Sequence, residues 1–256
     1  MSSWRLIDLE IYGGYTNMAI DEAILQARIE ERVPNTFRLY RWHPSCASIG
    51  RNQSMRHEVD IEACKRLGID FVRRITGGGA VYHDYMGEIT YSIVAKKENF
   101  LPMDIDETFR ILCKGIIVAL GDFGLNAEHG IHHCPSIFVK GRKISGNAQT
   151  IKKGVVLQHG TILLQYNPQL MYSILRVKTA GKKPKVVSSV YQKVTTLQQE
   201  SQRECNFETI KNALIQGYQK ALNTSFSIEN LTEHELNTKE HLIIEKYKTD
   251  EWNFKL

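Results

Sequence analysis

Arg73-Arg74-Ile75-Thr76-Gly77-Gly78-Gly79-Ala80-Val81-Tyr82-His83-Asp84 sets three consecutive glycines between an arginine pair and a His-Asp. Backbone without side chains can wrap closely around a ligand and turn its N–H groups towards phosphate or carboxylate oxygens. The apolar run before it, residues 69–72, reads as a strand, and residues 89–95 read as another, so the glycines are expected in a loop between strands. That setting differs from the phosphate loops that open directly into a helix and end in Gly-Lys-Ser/Thr. A glycine triplet alone is as consistent with a hairpin connection as with a ligand cradle. Here two arginines enter the loop and a histidine leaves it, a concentration of positive charge that a purely structural turn does not need.

Outward from the loop, strands and helices fall into segregated runs. Thr16 or Asn17 is expected to cap a helix with Ile20, Ala23, Ile24 and Ala27 at helical spacing and Asp21 and Glu22 in its favourable first turns. Residues 36–42 alternate like a strand, residues 47–50 follow as another, and residues 58–67 read as a helix. Asp104 or Asp106 opens a helix carrying Phe109, Leu112, Ile116 and Leu120 on one face, closed by Gly124. Strands are expected at residues 137–139, 144–150 and 155–164, with a short helix from Pro168. Helices resume at residues 207–222 and 232–247, the latter opened by a Thr232-x-x-Glu235 capping box. This pattern predicts an α+β fold, a mixed β-sheet flanked by helices, rather than a regular βαβ alternation.

The chain of 256 residues, 42% apolar, is long enough for one sizeable core. Its formal charge of +5 favours an acidic partner without implying nucleic acid. A charged leader with a long apolar stretch is absent, as is any run of membrane-spanning length, so a cytoplasmic protein with no membrane association is expected. Five cysteines, odd in number and without a Cys-x-x-Cys pair, argue against a disulfide scaffold or a clustered zinc site, and no metal ligands are assigned. Residues 176–189 have loop composition and bring together Lys178, Lys182, Lys183 and Lys185, a candidate docking surface for an acidic protein.

The glycine string resembles the Arg-Arg-x-x-Gly-Gly-Gly-x-Val-x-His-Asp signature of the lipoate-protein ligase A and octanoyltransferase family, relatives of the biotin protein ligase catalytic domain. Asn17-Met18-Ala19-Ile20-Asp21-Glu22-Ala23, Ile49-Gly50-Arg51-Asn52-Gln53, Gly141-Arg142-Lys143-Ile144-Ser145-Gly146-Asn147-Ala148-Gln149 and Gln158-His159-Gly160-Thr161 look like further family blocks in family order. The resemblance implies a catalytic domain over residues 1–200 with residues 201–256 as its helical C-terminal extension. A biotin ligase is a poorer fit, because its arginine-rich glycine loop is missing.

Lys143, near a strand end and followed by Ser-Gly, is a point charge suited to an acyl carbonyl or phosphate oxygen; a lysine in a solvated hairpin is the plainer alternative. The resemblance gives Lys143 the catalytic role and assigns Arg73, Arg74, Gly77, Gly78, Gly79, Val81, Tyr82, His83, Ser145, Gly146, Ala148 and His159 to substrate or adenylate. Arg73 and Arg74 alternate in facing, so one should enter the site. His83 either orients the loop or meets the acyl chain; His159, within an apolar strand, otherwise reads as a core histidine.

Two activities follow from the resemblance. The first is an ATP-dependent lipoate-protein ligase that, with Mg2+, makes lipoyl-AMP and passes the acyl group to a lysine of a lipoyl-carrier domain. Such carriers are the E2 subunits of 2-oxoacid dehydrogenases and the glycine cleavage H protein. A separate accessory subunit is then expected, since long single-chain ligases carry an additional C-terminal domain. The second is an octanoyltransferase in which Cys134 takes octanoate from an acyl carrier protein as a thioester. Cys134 follows His132-His133, whose charge would favour a thiolate. The intact Gly77-Gly78-Gly79, Ile49-Gly50-Arg51-Asn52-Gln53 and a spacing from Cys134 to Lys143 shorter than in such transferases lean to the ligase; Pro135-Ser136, where ligases usually have Asn-Asp, leans to the transferase. A non-catalytic acyl- or nucleotide-binding module is the remoter reading.

Overall fold

The computed structural model describes residues 3–99, 104–130, 135–176 and 194–256. β1 (Ser3–Tyr12) leads into α1 (Gly14–Ile29). The helix starts before the expected caps Thr16 and Asn17. Gly14 lets it do so: a β-carbon there would stand 2.5 Å from the Cys46 sulfur, and its N–H donates to Asp70 Oδ2 at 3.0 Å. Asn17 is used differently, its Nδ2 donating to the Tyr12 and Arg41 carbonyls.

β2 (Thr36–Trp42) is buried along its whole length, because both of its faces are covered. Phe37 and Leu39 enter one apolar cluster, and Tyr40 and Trp42 enter another beneath α1. Arg38 is fully buried between them, donating to Asp21 Oδ1 at 3.1 Å and Asn17 Oδ1 at 2.7 Å. The next segment supplies β3 (Cys46–Ile49), α2 (Met55–Glu58), α3 (Ile61–Leu67), β4 (Asp70–Arg73) and β5 (Val81–His83). The single helix expected over residues 58–67 is broken at Val59 and Asp60, where Asp60 turns out to cap α3 by accepting from the Ala63 N–H. The strands form a small sheet in the order β4-β3-β5, and the glycine loop joins its two edges.

β6 (Glu88–Lys96), α4 (Ile105–Gly121), β7 (Ala127–His129), β8 (Ser136–Val139), β9 (Arg142–Lys152) and β10 (Val155–Leu163) follow. The remainder comprises α5 (Pro168–Ile174), α6 (Leu197–Glu200), α7 (Phe207–Leu222), β11 (Ser225–Ile228), α8 (Glu233–Leu242) and α9 (Asp250–Asn253). The main sheet has eight strands in the order β11-β1-β2-β6-β10-β9-β8-β7, with β1 parallel to both neighbours and the other pairs antiparallel. The expected mixed sheet flanked by helices is therefore present.

α7 closes the larger cluster by laying Tyr218 over Gly115 of α4, where a β-carbon would come within 2.4 Å of the ring. β11 is the strand that the sequence does not announce: Ser-Phe-Ser-Ile is short and half polar, and it is extended because the β1 edge supplies its backbone partners. α8 carries the expected capping box, and its Glu235 also takes the buried Arg5 guanidinium at 2.5 and 2.8 Å. The helix expected to reach residue 247 ends at Leu242 and gives way to a π turn, Ile243–Tyr247.

Candidate active site

A cavity of about 290 Å3 opens where the glycine loop of the small sheet leans on β9 and β10 of the large one. Met18, Tyr40, Trp42 and Ala148 give it apolar walls, while Arg74, Lys143, His83 and His159 bring polar atoms to it. This is a modest, mostly apolar pocket with convergent polar groups, the usual form of a small-ligand site.

Arg74 shapes the glycine loop. Its Nη2 donates to the Gly77 and Gly79 carbonyls at 2.7 and 2.8 Å, its Nη1 to Ser48 Oγ at 3.2 Å and its Nε to Thr76 Oγ1 at 3.1 Å. Gly78 adopts a φ of 92°, which favours glycine, and Gly50 must also be glycine because a β-carbon there would lie 2.1 Å from the Gly78 oxygen. At Gly77 and Gly79 a β-carbon would meet nothing within 4 Å. Neither is required by the protein's own packing, and of the two only Gly79 borders the cavity.

Two similar chains of hydrogen bonds converge on Arg74. Thr76 Oγ1 lies 2.8 Å from His159 Nε2, and His159 Nδ1 lies 3.0 Å from Asp21 Oδ2. Ser48 Oγ lies 2.8 Å from His83 Nε2, and His83 Nδ1 lies 2.6 Å from Glu88 Oε1. A guanidinium only donates, so each hydroxyl accepts from Arg74 and turns its own O–H to a histidine Nε2; each Nδ1–H then donates to a carboxylate. Every donor is used once if both imidazoles are neutral. Burial pulls the His159 pKa below the ordinary histidine value, with the Asp21 carboxylate opposing and the Arg74 charge reinforcing that shift. Burial likewise pulls Arg74 down to about 10, which leaves it charged at neutral pH. Trp42 stacks on the His83 ring with centroids 4.0 Å apart and fixes its plane.

Lys143 reaches the cavity through a β-bulge in β9. Ile137 and Phe138 of β8 face Ser145 and Lys143, so Ile144 is the extra residue and the strand is re-aimed there. A β-carbon on Gly146 would stand 2.9 Å from Lys143 Nζ. Gly146 therefore makes room for the lysine itself, in addition to any ligand. Asn147 donates from Nδ2 to the Pro135 carbonyl at 2.7 Å and accepts from Tyr91 OH at 2.8 Å; Gly160 is bare because a β-carbon would collide with Asn147 Oδ1. Pro135 and Ser136 line the cavity. Cys134 itself lies outside the described residues, as do His132, His133, Lys178, Lys182, Lys183 and Lys185.

A second cavity of about 160 Å3 adjoins the first and shares Ala80, Val81, Lys143, Gly146 and Thr161 with it. Tyr82 and Ser145 line only this one, Gly78, Gly79, His83, Ala148 and His159 only the first, and Val81 and Gly146 both. Gly77 lines neither, although its carbonyl is held by Arg74. Arg73 also lines neither cavity. It faces away as alternation requires, but into the protein: its side chain donates to the carbonyls of Arg51, Gln53, Trp252 and Asn253. Sequence reasoning passed over Asp21, Ser48, Thr76, Glu88 and Asn147 as site residues. Among the described residues no group of three or more His, Cys, Asp or Glu is placed to hold a metal ion, and no helix is long and apolar enough to cross a membrane.

The family model "Lipoyl protein ligase A/B catalytic domain" matches residues 13–219. The octanoyltransferase LipM of Brevibacillus brevis is 35% identical over the full length of both chains, and that of Bacillus subtilis is 30% identical over 99% of this chain and 98% of its own. Among solved structures, the bipartite lipoate protein ligase of Thermoplasma acidophilum, determined with its E2 lipoyl domain, aligns with a TM-score of 0.87 at 29% identity, covering 99% of this chain and 97% of its own. A lipoate-protein ligase A bound with ATP gives 0.86 at 29% identity and 99% coverage of each chain.

Proposed function

The chain belongs to the lipoyl protein ligase A/B catalytic-domain family, and within it we propose an octanoyltransferase, which moves an octanoyl group from a carrier thioester to a lysine of a lipoyl-carrier domain. The end-to-end similarity to octanoyltransferases carries this reading and turns the balance away from the ATP-dependent ligase expected first. The geometry supports it too. Of the two signature arginines, Arg73 is engaged on backbone carbonyls and Arg74 on carbonyls and hydroxyls, so neither is poised to receive a triphosphate.

In this mechanism the Cys134 thiolate attacks the octanoyl thioester carbonyl. A new C–S bond forms, the old one breaks, and the carrier thiol leaves with the proton that Cys134 has lost. The neutral amine of the acceptor lysine then attacks the Cys134 thioester; a C–N bond forms and Cys134 recovers its thiol with the amine proton. The Lys143 ammonium stabilises the oxyanion in both stages, and the apolar cavity holds the acyl chain. Pro135 and Ser136 at the cavity wall support a reactive residue just before them. The acceptor is a lipoyl-carrier domain, the kind of protein paired with the Thermoplasma relative.

Exposure to octanoyl-carrier protein without ATP should add one hydroxylamine-labile octanoyl group to the protein, absent from Cys134→Ser. Addition of apo lipoyl domain should then discharge it. Transfer that instead needs free lipoate and ATP, and survives Cys134→Ser, would return the ligase.

A further inference from the structure

We propose that the second cavity receives the pantetheine arm of the acyl donor, an assignment that rests on the acyl-transfer reading and specifies where the donor lies. Lys143 lines both cavities, together with Ala80, Val81, Gly146 and Thr161. A thioester whose carbonyl sits at that ammonium has its acyl chain on one side and the rest of the donor on the other, so two adjoining cavities are what such a substrate requires.

The second cavity is a built site. Its walls are largely apolar, from Leu163, Met171, Leu175 and Val194. Within its lining, Glu88 Oε2 and Ser145 Oγ are buried polar atoms with no hydrogen-bond partner among the described residues, and each residue is only 1% exposed. Buried polar groups are rarely left so without a ligand or water to complete them. The other Glu88 oxygen is already taken, by His83 at 2.6 Å and by the Thr90 hydroxyl at 3.1 Å. Glu88 Oε2 therefore wants a donor, and the Ser145 hydroxyl can serve a carbonyl.

Secondary amides spaced by apolar carbons supply that pattern, and the pantetheine arm has two of them together with a dimethyl carbon and a hydroxyl. Charge argues against the other small occupants. Asp84 and Glu88 stand against Lys143, the one lysine or arginine in the described lining, which disfavours a polyphosphate. An acceptor amine held by a buried carboxylate would be kept protonated and so unable to attack. The same arm occurs in coenzyme A and on acyl carrier proteins, so the cavity reads the arm rather than what bears it.

The test compares three donors in the full-length protein: octanoyl-carrier protein, octanoyl-coenzyme A and octanoyl-N-acetylcysteamine, which keeps only the first amide. Ser145→Ala should lower kcat/KM for the two full-arm donors roughly fivefold more than for the short one. Met171→Trp, which fills the cavity from a half-buried helical position, should erase most of the preference for full arms. An unchanged ratio in both variants would overturn the assignment. So would a loss confined to the carrier-protein donor, which places the contact on the carrier's surface, or stoichiometric ATP binding that Met171→Trp abolishes. Absence of transfer from all three donors in the unsubstituted protein would instead remove the acyl-transfer reading, and the arm site with it.

Discussion

The Lys143 ammonium lies across Gly146, 2.9 Å from the point where a β-carbon on that glycine would stand. A strand residue without a side chain thus sets the position of the charge in the site. Removing the charge and displacing it should have different signatures. Lys143→Ala is expected to lower transfer at least roughly a hundredfold, on the order of 3 kcal/mol of transition-state stabilisation. Gly146→Ala meets only the mobile end of Lys143, so the melting temperature should hardly move while kcat/KM falls roughly tenfold through misplacement. Near-normal transfer by folded Lys143→Ala would remove the lysine from the mechanism.

Arg74 should be irreplaceable by lysine. A single ammonium cannot bond Ser48, Thr76, Gly77 and Gly79 from one position, whereas the planar guanidinium does so. Arg74→Lys is expected to cost about 2 kcal/mol of stability. The amides of residues 77–79 should exchange with solvent faster, and KM for the acyl donor should rise. Unaltered exchange in the loop would show that its shape is held by something else.

The C-terminal segment should matter to the fold through Asn253. Its Oδ1 accepts the Arg73 backbone N–H at 2.8 Å, and its Nδ2 donates to the Tyr247 and Thr249 carbonyls at 2.8 and 3.0 Å. Asn253→Ala leaves the buried Arg73 N–H and the Tyr247 carbonyl without partners, while the Thr249 carbonyl keeps the Asn253 backbone N–H at 3.2 Å, a loss of about 2–3 kcal/mol. For a chain of this size that lowers Tm by roughly 4–10 °C. A shift below the reproducibility of calorimetry would mean that water replaces the side chain there.

The glycine loop between strands, the α7 boundaries and the caps at Asp104 and Thr232 were legible because each is fixed by local chemistry: bare backbone, helical spacing, or a side chain reaching its own backbone. Lys143 was singled out by its register with the glycine loop in the family resemblance, its local context alone being that of a hairpin lysine, and its side chain lines the cavity. Asp21 and Glu22 were not legible, because an acid near a helix start looks the same whether it faces water or the interior. The early start at Gly14 carries both inward, to Arg38 and His159 for Asp21 and to Lys246 and Tyr247 for Glu22. Ser48, Thr76 and Glu88 were hidden likewise, since a polar residue acquires its role only from partners brought up by other elements. β11 escaped because its partner strand lies more than 200 residues away in sequence, between Ser3 and Ser225.

The last prediction concerns acid. Asp21, itself bonded to Arg38 and Tyr40, faces His159 from α1, with Arg74 and His83 also near, and burial reinforced by the Arg74 charge outweighs Asp21 in lowering the His159 pKa. An unfolded histidine titrates near about 6.5, so below that pH the unfolded chain binds a proton that the folded protein resists. The stability attached to neutral His159 is thus complete above about pH 6.5 and is lost as pH falls towards the folded-state value. Asp21 behaves in the opposite sense. Burial pushes its carboxyl up, but the His159 hydrogen bond and the Arg38 charge more than offset this and hold it below the usual range. Its contribution is present above the unfolded carboxylate value, about 3.9, and disappears only in stronger acid. Protonated His159 would have to turn an N–H towards Thr76 beside the Arg74 charge, so the glycine loop should loosen in the same interval. Tm measured from pH 8 to pH 5 should therefore begin to fall below about 6.5, and KM for the acyl donor should rise with it. His159→Gln, uncharged throughout, should flatten both profiles even if its Tm at pH 8 is lower. Equal slopes in the two proteins would assign the acid sensitivity to groups other than His159.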